Sequence, residues 1–152
     1  MANVEAVYAD PSALRALYIA DHRSIAMGRW RALLGGSVPI TRFGHAELIN
    51  AIALGRFRGD YGDAELLGAL NDVRHDLDEG RLCLADLSWR AAFDGAVKLS
   101  HLHTPITGTR SLDVLHVASA LELNARHFVT YDHRQAKLAT LCGLKVIKPQ
   151  LG

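Results

Sequence analysis

Four acidic residues, Asp10, Glu47, Asp113 and Asp132, are spaced so that a folded chain could bring their carboxylates to one place. Asp113 is the most telling. It lies in Arg110-Ser111-Leu112-Asp113-Val114-Leu115-His116-Val117-Ala118-Ser119-Ala120-Leu121, which reads as a helix apolar on nearly every face and therefore buried. His116 follows Asp113 by three residues and shares its face. Burying a bare carboxylate is costly unless it is paired, hydrogen-bonded or bound to a metal. Backbone N–H groups at the helix start are the plain partners, favoured by the macrodipole. A metal shared with the other acids is the chemical alternative.

Ligands in open α/β sheets gather beyond the carboxyl ends of the strands. Asp10 directly follows a strand expected over residues 4–9, and Asp132 follows one expected over 126–130, so both belong to that edge. Asp113 opens the helix that leads into the second of these strands. Glu47 falls in the second turn of the helix after a strand at 37–40. Carboxylates gathered in this way repel, by about 4 kcal/mol for a pair roughly 4 Å apart at an effective dielectric near 20. Cations would let them stay ionised together. Oxygen-only donors select hard ions, Mg²⁺ or Mn²⁺, and such sites serve phosphoryl chemistry through a metal-activated water. Each acid also has a local explanation. Asp10 can cap a helix beginning at Pro11, Asp132 and Gln135 fit a capping box, and Glu47 can be solvated at the edge of an apolar stripe. One shared site accounts for all four at once.

The elements that must hold these residues alternate between strand and helix. After Pro11, suited to a first helical position, a helix is expected to about residue 20, then another over 22–34 ending at Gly35-Gly36. Thr41 caps a helix over 42–56 whose apolar stripe is Phe43, Ala46, Ile49, Ile52 and Ala53. Leu66, Leu70, Val73 and Leu77 mark an amphipathic helix closed by Gly80, followed by a strand at 81–85. Ser88 caps the next helix, with Trp89, Phe93, Ala96 and Val97 as its buried face. Residues 101–109, containing Pro105 and Gly108, read as a loop. The His101-x-His103 pair within it lacks a third and fourth ligand. A helix over 134–141, Gly143 and a strand at 144–147 complete the chain. The pattern implies one α/β domain over residues 1–152, with a central, mainly parallel sheet of about five short strands flanked by helices.

Composition narrows the class. The 152 residues are 49% hydrophobic, enough for a core without disulfides. No apolar run reaches membrane-spanning length, and the first residues lack the basic and apolar regions of a secretory signal, so a cytoplasmic location is expected. Cys83 and Cys142 read as buried free thiols of a reducing compartment. The net charge of +1 speaks against a protein coated in positive charge, though not against a local basic patch.

With these residues in view, the chain resembles the PIN-domain family, and within it the VapC-type toxins of bacterial toxin–antitoxin pairs. The resemblance rests on Tyr8-Ala9-Asp10-Pro11-Ser12-Ala13-Leu14, His45-Ala46-Glu47-Leu48, the long stretch from Arg110 to Leu121, and Phe128-Val129-Thr130-Tyr131-Asp132 with Gly143-Leu144 beyond. It spans essentially the whole chain in order, and the long stretch is its most specific part. It implies that Asp10, Glu47, Asp113 and Asp132 hold Mg²⁺ or Mn²⁺ in an endoribonuclease, hydrolysing RNA with a metal-activated water. Ser12 and Thr130 would orient the carboxylates, and His116 would pack or hydrogen-bond beside Asp113. Arg110 or Arg134 would hold an RNA phosphate, with a surface ion pair as the plain alternative for either. The same resemblance implies a small antitoxin that covers the acidic site, and a homodimer.

Three other readings compete. A phosphoacceptor receiver domain would use Asp10, Asp86 and Lys148, but it wants paired acids at its first site and leaves Glu47 and Asp113 unexplained. A PIN-like module could bind RNA or protein without cutting. A metal-dependent DNA nuclease or phosphatase would use the same acids.

Overall fold

Strands and helices alternate along residues 6–152, the part of the chain that the computed structural model describes. In order they are β1 (Val7–Ala9), α1 (Pro11–Leu14), a 3-10 turn (Arg15–Leu17), α2 (Ser24–Leu34), β2 (Val38–Thr41), α3 (Arg42–Arg58), α4 (Asp63–Asp78), β3 (Leu82–Ala85), α5 (Trp89–Thr107), α6 (Ser111–Glu122), β4 (His127–Val129), α7 (His133–Leu141) and β5 (Lys145–Ile147). The α/β class expected from the sequence is what forms. Val4 and Glu5, expected to begin the first strand, lie outside the described residues. No helix among the described residues is long and apolar enough to cross a membrane. The backbone divides into two compact units. One joins the segment ending at Asp10 to Asp86–Lys148, and the other joins Pro11–Ala85 to Pro149–Gly152.

The first unit is built on a parallel sheet in the order β1-β4-β5, with Val7 opposite His127 and His127 opposite Lys145. Helix α6 supplies most of its core. Val114 through Ala120 are buried without a break, which an apolar run of this length requires. Tyr8, Val114, Val117, Ala120, Phe128, Leu138, Ala139 and Leu144 form one cluster. Each large side chain fully buried there contributes about 1.5–3 kcal/mol. Helix α5 corrects two expectations. It runs through 101–107 instead of breaking there, with Pro105 inside its last turn. That proline forgoes only one backbone bond, and the helix ends at Gly108 (φ 65°), whose N–H donates to Thr104 O at 2.8 Å. Of the expected buried face of α5, Ala96 packs on the core and Trp89 is half-buried, but Phe93 and Val97 are exposed, and Ala92 and Leu99 take the inward positions. The small residues face inward because α5 and α6 approach closely; a Cβ on Gly95 would meet that of Ala118 at 3.7 Å.

In the second unit, β2 and β3 pair in parallel, Val38 opposite Leu82 and Thr41 opposite Ala85. The expected five-stranded sheet is therefore divided into three strands and two among the described residues. Val38 N–H points to β3, donating to Arg81 O at 2.9 Å, and Pro39 beside it has no N–H to offer the other edge of β2, as suits an edge strand. Thr41 caps α3 as expected, its Oγ1 accepting from Gly44 N at 2.8 Å. The buried line of α3 is Gly44, Leu48, Ile52 and Gly55; of the expected stripe Ile52 is buried and Phe43 and Ile49 are half-buried, while Ala46 and Ala53 are exposed. Gly55 is buried because the Tyr61 ring fills the space a Cβ would need, while the Tyr61 hydroxyl donates to Ile52 O. Helix α1 is a single turn begun by Pro11, shorter than expected. Cys83 is exposed in β3, not buried, and Cys142 is half-buried, its thiol pKa pushed up by burial; both are free.

Candidate active site

The carboxyl edge of the β1-β4-β5 sheet collects the polar side chains of the first unit. Asp10 comes directly after β1, its backbone N–H donating to Val129 O at 2.9 Å and so continuing the ladder past the strand. Its side chain is kept inside, with the residue 5% exposed. Thr130 follows β4 and is buried; its N–H donates to Ile147 O at 3.2 Å. Asp113 is half-buried in the first turn of α6, rather than fully buried as the apolar stretch implied. Asp132 is the exposed N-cap of α7.

One residue expected to take part in a helix cap connects them. Gln135 is wholly buried. Its backbone N–H donates to Asp132 Oδ1 at 2.8 Å, which is the capping half of the expected box. Its side chain does not reach back to the Asp132 N–H. That donor goes instead to Thr130 Oγ1 at 3.1 Å, and the Thr130 hydroxyl donates to Gln135 Oε1 at 2.7 Å. The Gln135 Nε2 then faces Asp10 Oδ1 and the Asp113 backbone oxygen, each at 3.5 Å. A signal for this burial existed: Gln135 shares the helical face of Leu138 and Ala139.

In front of Asp113 and Asp132 lies an open pocket of about 390 Å³, also lined by Arg110, His133 and Arg134. These residues sit at the starts of α6 and α7, where the helix dipoles add positive potential. Arg134 reaches across to donate from Nη1 to Gly108 O at 3.5 Å. The pocket thus combines carboxylates with cationic groups, suited to an anionic phosphodiester beside acids. His116 behaves as a packing and hydrogen-bonding residue: it is buried, and its Nδ1 lies 2.6 Å from Tyr8 Oη. Tyr8 in turn stacks on Phe128, ring centroids 5.4 Å apart.

Two expected site residues belong to the other unit. Glu47 is half-buried in the second turn of α3, and Ser12 is exposed in α1. The donor chemistry in the first unit, carboxylate oxygens that accept from the side-chain amide and the backbone N–H of Gln135, is of the type a hard divalent ion takes. The spacing is looser than a ligand set: among the described residues, no three Asp, Glu, His or Cys side chains form a group that could hold a metal ion. His101 is exposed and His103 half-buried on α5, part of no such group. No protein-family model matches the sequence, and no curated protein matches it.

Proposed function

We propose that the chain is a metal-dependent endoribonuclease of PIN type, the toxin of a toxin–antitoxin pair. Asp10, Glu47, Asp113 and Asp132 are its acidic residues. The observation that carries this reading is the convergence of Asp10, Asp113 and Asp132 on the carboxyl edge of one parallel sheet, beside a pocket that also holds Arg110 and Arg134. One buried carboxylate, Asp10, and an anion-attracting pocket lined by two further acids together suit phosphodiester hydrolysis.

A bound Mg²⁺ or Mn²⁺ supplies charge compensation and an activated water. The chain's own residues do the rest. Arg110 and Arg134 hold the RNA backbone by its phosphate, as planar cations do well. Thr130 and Gln135 fix the acids from behind. A small antitoxin that covers the acidic pocket, a homodimer and a cytoplasmic location belong to the same proposal.

The test is cleavage of structured and unstructured RNA with Mg²⁺, with Mn²⁺ or with a chelator. Cleavage that needs the metal supports the reading. Metal-dependent action on DNA or phosphomonoesters alone would reassign the same acids to a DNA nuclease or phosphatase. A non-cleaving RNA- or protein-binding module is the second reading, favoured by the loose spacing of the acids. RNA binding without turnover in any metal would establish it.

A further inference from the structure

We infer that Gln135 is the positioning residue of this site, holding Asp10 in its working orientation through an amide that Thr130 locks in place; the inference rests on the nuclease reading above. A wholly buried glutamine is unusual, since its carboxamide must find partners for both ends or forfeit their solvation. Here the two ends are distinguished. Thr130 Oγ1 donates to Oε1 at 2.7 Å, and with its hydrogen used there the hydroxyl accepts from the Asp132 N–H at 3.1 Å. A flip of the amide would turn Oε1 toward the Asp10 carboxylate and the Asp113 carbonyl, acceptor against acceptor, so Nε2 is kept aimed at Asp10 Oδ1 and the Asp113 carbonyl while Thr130 holds the other end. Both of these distances are 3.5 Å, the long end of hydrogen bonding, so the amide guides the carboxylate without binding it tightly.

The consequence is a single residue in touch with all three acid-bearing positions of the sheet edge: its side chain meets the Asp10 carboxylate and the Asp113 backbone, and its backbone N–H meets the Asp132 carboxylate. Gln135 contacts no substrate in this arrangement. It acts through Asp10. Partners that orient ligating carboxylates in this way typically change metal affinity by about 10–100-fold when removed.

The test uses the full chain and reads Mn²⁺ binding by direct titration, together with kcat and KM for RNA. Gln135→Met keeps the length and removes both polar ends; Thr130→Val removes the lock; Thr130→Ser keeps the hydroxyl. We expect Gln135→Met and Thr130→Val each to weaken Mn²⁺ binding about tenfold or more and to lower kcat with little change in KM. Thr130→Ser should restore the affinity lost in Thr130→Val. The double variant should be no worse than the weaker single one, because both act through one network. Should Gln135→Met fail to fold, the Thr130→Val and Thr130→Ser pair carries the same comparison. Wild-type Mn²⁺ affinity in folded Gln135→Met or in Thr130→Val, or losses that simply add, would overturn the positioning role and leave the nuclease reading standing. A wild-type chain that binds no Mn²⁺ would overturn the nuclease reading, and the positioning role with it.

Discussion

In the unit built on β1, β4 and β5, buried polar side chains reach one another across long sequence separations: Tyr8 to His116, Asp10 to Gln135. In the unit built on β2 and β3, Thr41 is the polar side chain buried among the described residues, and its hydroxyl serves its own helix three residues on. Ion pairs in that second unit, Arg56 with Asp63 and Arg81 with Asp76, stay where water can reach them. The difference separates two uses of polarity. A local cap satisfies backbone that any helix must satisfy. A buried network between distant elements gives up solvation that an apolar core of equal volume would not, so each of its members must find a partner.

Apolar truncation should not distinguish the units, whereas polar truncation should. Phe128→Ala in the first unit and Leu48→Ala in the second both empty wholly buried positions. Urea denaturation should show losses of about 3–5 kcal/mol and about 2–5 kcal/mol respectively. Tyr8→Phe keeps the ring stack but leaves a buried imidazole nitrogen without the tyrosine hydroxyl, and should lose about 1–3 kcal/mol. Thr41→Ala, its counterpart in the second unit, should lose about 1 kcal/mol as a helix cap. If the Tyr8 change proves the milder of the two, the contrast between network and cap fails. Asp132→Ser keeps a capping oxygen at the start of α7 and removes the carboxylate. Its thermal stability should stay close to wild type while Mn²⁺ affinity falls, and unchanged affinity would make Asp132 a cap alone.

The smallest effect belongs to Tyr18 of the second unit, which donates to Asp76 Oδ2 at 2.7 Å. Burial first, then the hydrogen bond to Asp76 and its charge, push this phenol well above its ordinary value of 10.0. The folded chain therefore holds a proton that the unfolded chain releases. The resulting stability is full below pH 10.0 and declines as the pH rises from there toward the folded-state value. Tyr18→Phe should flatten the alkaline side of the stability profile, measured by denaturation between neutral and strongly alkaline pH.

Much of this arrangement was legible in the sequence, because its causes are local. An apolar run as continuous as Val114–Ala120 has to be buried, and Thr41 and Ser88 cap because their hydroxyls precede good helices. Asp10 and Asp132 could be placed on one edge because both closely follow short strands. What was missed depends on partners that spacing does not display. Pro105 looked like a helix breaker, yet Gly108 one turn later supplies the stop. Phe93 and Val97 have the period of a buried face, but the close approach of α6 selects the small side of α5. Gln135 matched a capping box so well that its second role, inside the core, was hidden by the first.

The central claim is that the acids on the first sheet's edge hydrolyse RNA. Its most direct test is single-turnover cleavage in Mg²⁺ by wild type and by Asp113→Asn, an isosteric change that removes the charge and turns one acceptor oxygen into an NH2 donor. Circular dichroism and thermal melting would first show that the variant folds. Metal-dependent cleavage by wild type, reduced in the folded variant by a factor on the order of 10² or more, is the expected result. Equal cleavage by the two, or none by wild type in any metal, would contradict the account.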